Sequence, residues 1–232
     1  MKDLLGAIQE EKSYVSDRMQ GKKTNLTERL AQYGYHDLKE YFDEKKHYLF
    51  LKWAPEVYYI DEDFLDTQME NNIKNGVDGI YIITPKNEYY AFHGDDEINY
   101  DECKELGVRP IEMNYHGGTI IGSKGDLGIL LIIPKDIMLS STDIINKIME
   151  IVRVNCPEAT YNGNDILING NKVMGSITKD AGDYYVWAAQ FSFVEHDELI
   201  SKICKKEQKK KPSTFYKLTR DKLEQGVLKW LL

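Results

Sequence analysis

The chain has 232 residues and a mass of 26.9 kDa, with 42% hydrophobic and 11% aromatic residues. That suits one large domain, or one domain with an appendage, and argues against disorder. Lys and Arg number 30 against 38 Asp and Glu, giving a net charge of −8 and a pI near 5.2. This weighs against general nucleic-acid binding, because phosphate contacts need a basic face.

The first ~45 residues read as helical. Leu4, Leu5, Ile8, Val15 and Met19 fall near helical spacing, and Gly21-Lys22-Lys23 breaks the pattern. Thr24 or Asn25 can cap a second helix striped by Leu26, Leu30 and Tyr33, because a short side-chain oxygen accepts a free backbone N–H. A third helix is expected over 36–45, with Leu38, Tyr41 and Phe42 inward. Residues 48–53 then look β-like, stopped by Pro55. Residues 61–75 predict a helix with Gly76 as its C-cap. Strands are expected at 80–84 and 88–93, and a short helix over 100–106 behind the cap Asn99. A Gly-rich segment, 116–128, leads into the buried strand Ile129-Leu130-Leu131-Ile132-Ile133. Ser140-Ser141 starts a helix to about Val154. Residues 165–177 predict a hairpin about Asn169-Gly170, a pair that favours the type I′ turn. A strand over 184–194 and helices near 197–205 and 219–231 finish the chain. Strands in hairpins with helices grouped between them predict an α+β fold rather than a doubly wound parallel sheet.

No apolar run approaches the ~20 residues of a membrane-spanning helix, so no membrane role is expected. The opening Met1-Lys2-Asp3-Leu4 lacks a signal-peptide core. Cys103, Cys156 and Cys204 are widely spaced and form neither a disulfide framework nor a CxxC pair. The expected compartment is the reducing cytoplasm.

Four features bear chemistry. In Tyr115-His116-Gly117-Gly118-Thr119, followed by Gly122, Gly125, Asp126 and Gly128, glycines let the backbone approach a ligand, or simply make a tight connection between strands. Gly163-Asn164-Asp165 precedes the hairpin, and Lys172 lies just past its turn, close to Gly175. A lysine there is either solvated or held to polarise a carbonyl or neutralise a phosphate. Asn164 and Asp165 offer oxygens to a hydroxyl or a divalent metal. Cys156, beside Pro157, is either a buried structural thiol or a nucleophile. His116 either caps a carbonyl or serves as an acid–base group.

Taken in order, residues 97–110, then Gly117-Gly118-Thr119-Ile120-Ile121, Gly125-Asp126-Leu127, and residues 163–176 resemble the lipoate–protein ligase branch of the biotin/lipoate ligase family. In that family a helix ending "LGI" precedes an "RRxxGGG" loop, then "GNL", then "NDI…GKKIxGSA". The resemblance covers about 49–204, and 164–176 is its specific part. It implies a mixed, largely antiparallel central sheet flanked by helices. It places Lys172 at the family's essential lysine, which binds the acyl carbonyl and the adenylate phosphate. Gly117 and Gly118, with His116, Thr119 and Gly175 beside them, would line the acyl site. Arg109, Asp126, Asn164 and Asp165 would serve the nucleotide, with Asp165 on magnesium. The departures are specific. The family's arginine pair falls on Glu112 and Met113, His116 replaces the first loop glycine, Gly122 stands where histidine is frequent, and Ile177 and Thr178 replace alanine and glutamine.

The resemblance therefore implies transfer of a lipoyl- or octanoyl-type acyl group to a lysine of a carrier domain, with lipoate or a related small carboxylate as substrate and ATP and Mg2+ for a ligase. One alternative is a non-catalytic acyl- or cofactor-binding protein on the same fold. Another is a Cys156-dependent acyltransferase that needs no ATP. The expected organisation is a helical extension over 1–46, the ligase-like domain over 47–205, and a basic linker with a C-terminal helix over 206–232. Lys202, Lys205, Lys206, Lys209, Lys210 and Lys211 are either solvated surface or a docking patch for an acidic lipoyl-type carrier domain.

Overall fold

The computed structural model describes residues 2–93, 98–112, 119–205 and 212–232. The chain divides into two compact units, 1–54 with 136–139, and 55–135 with 140–232.

The first unit holds α1 (Leu4–Met19), α2 (Leu26–Ala31) and α3 (Leu38–Lys52). Each starts at a short polar residue whose side chain accepts an otherwise unpaired N–H: Asp3 from Gly6, Asn25 from Thr27, and Asp37 from Lys39. Ala7, Leu30, Tyr35 and Tyr41 make the core of this unit. The Tyr41 hydroxyl donates to Glu11 at 2.7 Å, and Lys45 pairs with the same carboxylate. The strand expected over 48–53 is instead the last part of α3. No Gly or Pro separates these residues from the helix before them, and extending a nucleated helix outweighs the β preference of aromatic residues.

The second unit contains β1 (Val57–Ile60), α4 (Glu62–Thr67), α5 (Met69–Lys74), β2 (Gly79–Ile83), β3 (Tyr89–His93), α6 (Tyr100–Glu105), β4 (Val108–Glu112), β5 (Ile120–Ser123), β6 (Leu127–Pro134), α7 (Ser141–Arg153), β7 (Thr160–Asn162), β8 (Asp165–Ile168), β9 (Asn171–Ala181), β10 (Tyr184–Phe191), α8 (Asp197–Ile203) and α9 (Arg220–Leu231). The larger sheet has the order β1-β2-β6-β10-β9-β8-β7, and the smaller β4-β3-β5. Among the described strands, β1 with β2 and β3 with β4 are the pairs that run parallel. The expected α+β class with a mixed, largely antiparallel central sheet flanked by helices is the observed one. The helix expected over 61–75 is broken at Gln68 into α4 and α5.

β6 is buried along both faces from Leu127 to Ile133, as a central strand's continuous apolar run requires. Alternation sends its even-numbered residues to one face. There Leu130 and Ile132 join Tyr81, Ile83 and Val186 of the larger sheet, and meet Tyr90, Phe92 and Ile111 of the smaller one. The opposite face carries Ile129, Leu131, Ile133 and Trp187, all buried. The apolar stripe of α7 (Ile144, Ile145, Ile148, Met149, Val152) and Leu223, Val227 and Leu231 of α9 are buried too. Ser140 opens α7 with a full capping box against Asp143. Among the described residues no helix is long and apolar enough to cross a membrane.

Candidate functional site

The β8–β9 hairpin forms as its turn sequence dictates. Asn169 and Gly170 both have positive φ, 51° and 81°, as a type I′ turn requires. The register then slips. Leu167 pairs with Lys172 and Ile166 with Met174, so Val173 is an extra residue on β9. In an unbroken strand Lys172 and Gly175, three apart, would face opposite sides. The bulge reverses that parity and places Lys172, Gly175 and Asp165 on one face. The Lys172 Nζ lies 3.0 Å from Asp165 Oδ1. A Cβ on Gly175 would stand 2.7 Å from both Cε and Nζ of Lys172, so the lysine occupies the space the glycine leaves. Pro212 bridges to Lys172, and Ser213 N–H donates to the Lys172 carbonyl at 2.8 Å, which fixes the strand end. Both the N–H and the hydroxyl of Ser176 donate to the Asn164 carbonyl, at 2.8 and 3.0 Å, tying the turn before β8 to β9. The Asn164 side chain is exposed.

Across the larger sheet the same face carries one continuous row, Ile83–Gly128–Gln190–Gly175–Asp165, each paired directly with the next. Ile83 fills the space over Gly128 as Lys172 does over Gly175. Gln190 stands between the two glycines. Its Oε1 accepts from the Tyr90 hydroxyl of the smaller sheet at 2.7 Å. Tyr90 in turn lies where a Cβ on Gly122 would be, which accounts for glycine at that position. Burial pushes the Tyr90 phenol far up, so it stays a neutral donor.

A cleft opens at this end of the second unit. Thr119, Lys172, Gly175, Gln190, Glu195 and His196 are among the residues that line it. Thus Thr119, Lys172 and Gly175 of the expected site come together. His116, Gly117 and Gly118 lie outside the described residues, as do Lys206 and residues 209–211 of the lysine run. Lys202 and Lys205 are exposed.

The remaining expected site residues are engaged elsewhere. Asp126 is 1% exposed. Its Oδ1 accepts from the N–H groups of Phe193 and Val194 at 2.6 and 3.0 Å, and its Oδ2 from Ser123 N at 3.0 Å. His196 Nε2 stands 2.5 Å from the same Oδ2. Asp126 thus clamps the turn after β10 to the β5–β6 turn, with both oxygens engaged. Arg109 pairs with Asp63, whose carboxyl falls below the ordinary range through Lys86 and Arg109. Neither Arg109 nor Asp126 is among the described residues lining the cleft. Cys156 is fully buried, and burial pushes its thiol up more than the nearby N–H groups of Lys217 and Leu218 pull it down. The exposure that a nucleophile needs is therefore missing at Cys156. No group of three acidic, histidine or cysteine side chains among the described residues could hold a metal ion. With Asp165 already paired to Lys172, these residues do not by themselves fit magnesium.

Gln190 and His196 escaped sequence reasoning. Gln190 had a signal, a lone amide in the otherwise apolar Tyr184–Phe191 strand. His196 had none, since its partner lies 70 residues away.

No protein-family model matches the chain, and no curated protein does. Solved structures do. P. falciparum LipL1, in complex with lipoate, aligns with a TM-score of 0.58 and 16% identity, covering 76% of this chain. The chain spans 61% of that protein's length. A putative lipoate protein ligase from T. acidophilum with bound lipoic acid gives 0.59 and 15%, covering 76% of this chain and 84% of that one. Lipoate-protein ligase A bound with ATP gives 0.57 and 13%, over 76% and 83%. At such identities the likeness is one of fold. The resemblance read from residues 97–176 and the three-dimensional similarity agree on the lipoate–protein ligase architecture.

Proposed function

We propose that this chain is a lipoate–protein ligase-like enzyme that places a lipoyl- or octanoyl-type acyl group on a lysine of a carrier domain. The observation that carries this reading is Lys172, turned by the bulge at Val173 onto the face of Gly175 and into the cleft. A lysine ammonium has three N–H donors, and Asp165 accepts from one. The others are available to the acyl carbonyl, where they stabilise negative charge as the acceptor amine attacks. The acceptor ammonium first gives up a proton to solvent. Its nitrogen then bonds to the acyl carbon, and the bond from that carbon to the activating group breaks with its electron pair leaving on that group. The amide nitrogen sheds its remaining extra proton to solvent. Exposed Glu195 and Asp197 at the mouth offer negative charge to the incoming ammonium of the acceptor lysine. Solved proteins of this fold bound to lipoate and to ATP, and one studied with its E2 lipoyl domain, support the ligand and partner classes.

The Arg109–Asp63 pair favours one rival, a non-catalytic acyl-binding protein, because the described residues bring no arginine into the cleft for phosphate. The burial of Cys156 weighs against the ATP-independent thioester route.

The test incubates the full chain with lipoate or octanoate, ATP, Mg2+ and a lipoyl domain, and reads the carrier's mass. Acylation by the wild type, lost in a normally folded Lys172→Ala protein, is expected. Wild-type rates in Lys172→Ala would remove Lys172 from the chemistry. Ligand binding with no mass change would favour the rival.

A further inference from the structure

Gln190 is 4% exposed, yet its Nε2 has no hydrogen-bond partner among the described residues. A buried amide N–H without a partner is costly, so such groups are rare unless something else satisfies them. Gln190 also lines the cleft. Its orientation is set rather than free, because Oε1 is held by the Tyr90 hydroxyl at 2.7 Å and Nε2 must point away from that bond. Its neighbours in the row are Gly128 and Gly175, so neither directly paired residue brings a side chain to meet it. Over Gly175 lies Lys172 Nζ, 2.7 Å from the missing Cβ. Directly paired residues hold their Cβ positions about 5 Å apart, so the Lys172 ammonium and the Gln190 side chain border one small space.

We propose that Gln190 binds substrate, its Nε2 donating to one oxygen of the ligand's carboxylate or acyl carbonyl while Lys172 holds the other side. This deepens the acyl-transfer reading and rests on it. Two donors of different charge, set on neighbouring strands, select a carboxylate head group and fix its plane, which Lys172 alone would leave free to rotate. Tyr90 acts as a positioning residue through Gln190.

The test compares binding of octanoate and of 1-octanol, a neutral probe without an oxyanion, by calorimetry at pH 8. Gln190→Glu keeps an acceptor for Tyr90 and removes the donor. The double variant Tyr90→Phe/Gln190→Met removes the pair without leaving a buried polar orphan, and so covers the case in which Gln190→Glu folds poorly. Both are expected to weaken octanoate binding at least tenfold and to change 1-octanol binding less than twofold. Equal losses for both probes would mean a structural role and overturn the proposal, as would unchanged octanoate affinity in either folded variant. Failure of the wild type to bind octanoate or lipoate would sink the acyl reading itself, a result distinct from failure of Gln190 alone.

Discussion

Gly175→Ala isolates the placement of Lys172 from its chemistry. Gly175 does not have positive φ, so alanine imposes no backbone strain at this position. Its methyl would lie 2.7 Å from Lys172 Cε and Nζ, about 1 Å inside ordinary carbon contact at 3.5–4.0 Å. Asp165 Oδ1, at 3.4 Å, tolerates it. The lysine end must therefore swing away by about 1 Å. Those atoms are the tip of a flexible side chain, so stability changes little. The smaller unfolded-state entropy of alanine, ~0.4–1 kcal/mol, offsets part of the contact cost. A net change within ~1 kcal/mol corresponds to a Tm shift of about 4 °C or less for a chain of this size. A misplacement of 1 Å at a reacting centre can cost about 10²-fold in rate. The assay is the initial rate of carrier acylation beside a calorimetric melt. A Gly175→Ala protein with more than half the wild-type rate would refute the claim that Lys172 acts from above Gly175.

Glu62 is fully buried in the second unit and accepts from Lys86 N, Asn87 N and Asn87 Nδ2. Burial alone would raise its carboxyl, but these donors bring it below its ordinary 4.5. Its contribution is therefore present above pH 4.5 and is lost as pH falls through the folded-state value. Glu62→Gln should cost about 2 kcal/mol at pH 7 and flatten the acid limb of stability in urea titrations; an unchanged limb would contradict this. Cys156→Ser should leave acyl transfer intact, and iodoacetamide should not label Cys156 in the folded protein at pH 7.5. Because burial raises its thiol above the ordinary 9.0, stability should fall as pH rises past about 9, and this slope should be shallower in Cys156→Ser, with Cys103, also raised by burial, still contributing. Asp126→Ala should destabilise by ~3 kcal/mol in chemical melts, since it strands the N–H groups of Ser123, Phe193 and Val194; a loss below ~1 kcal/mol would mean the clamp does little.

What the sequence disclosed was what local chemistry determines. Asn-Gly at 169–170 announced its hairpin, short polar caps announced helix starts at Asn25, Asn99 and Ser140, and the run Ile129–Ile133 announced a doubly buried strand. What it hid depends on contacts distant in sequence. β4 contains Pro110 and β5 contains Gly122, residues that argue against strands, yet both pair with β3 in a second sheet. β2 and β3 follow one another with five residues of turn region between them that look like a hairpin connection, yet they join different sheets. Asp126 was placed by motif position near a nucleotide. Its actual partners, 67 to 70 residues onward, turn it into a clamp. The parity change at Val173 is likewise invisible in the alternation of β9, though it decides where Lys172 faces.

The Lys172–Asp165 pair also bears on how such a site would work. With the two side chains 32% and 17% exposed, the pair sits near the surface, where ion pairs contribute about 0–1 kcal/mol to folding. Its significance lies in direction. An unpaired lysine on a four-carbon stem samples many positions, and ordering it on ligand arrival would cost side-chain entropy. Asp165 meets that cost before the ligand comes, by holding Nζ over Gly175, while Ile83 fills the space over Gly128. The carboxylate also neutralises the charge of Lys172, and Glu195 and Asp197 add negative charge at the mouth, so an anionic ligand is drawn less by bulk charge than by the two placed donors, Lys172 and Gln190. Selectivity for a carboxylate head then comes from donor geometry on a bulged strand and its neighbour, and it survives in a protein whose overall charge repels anions.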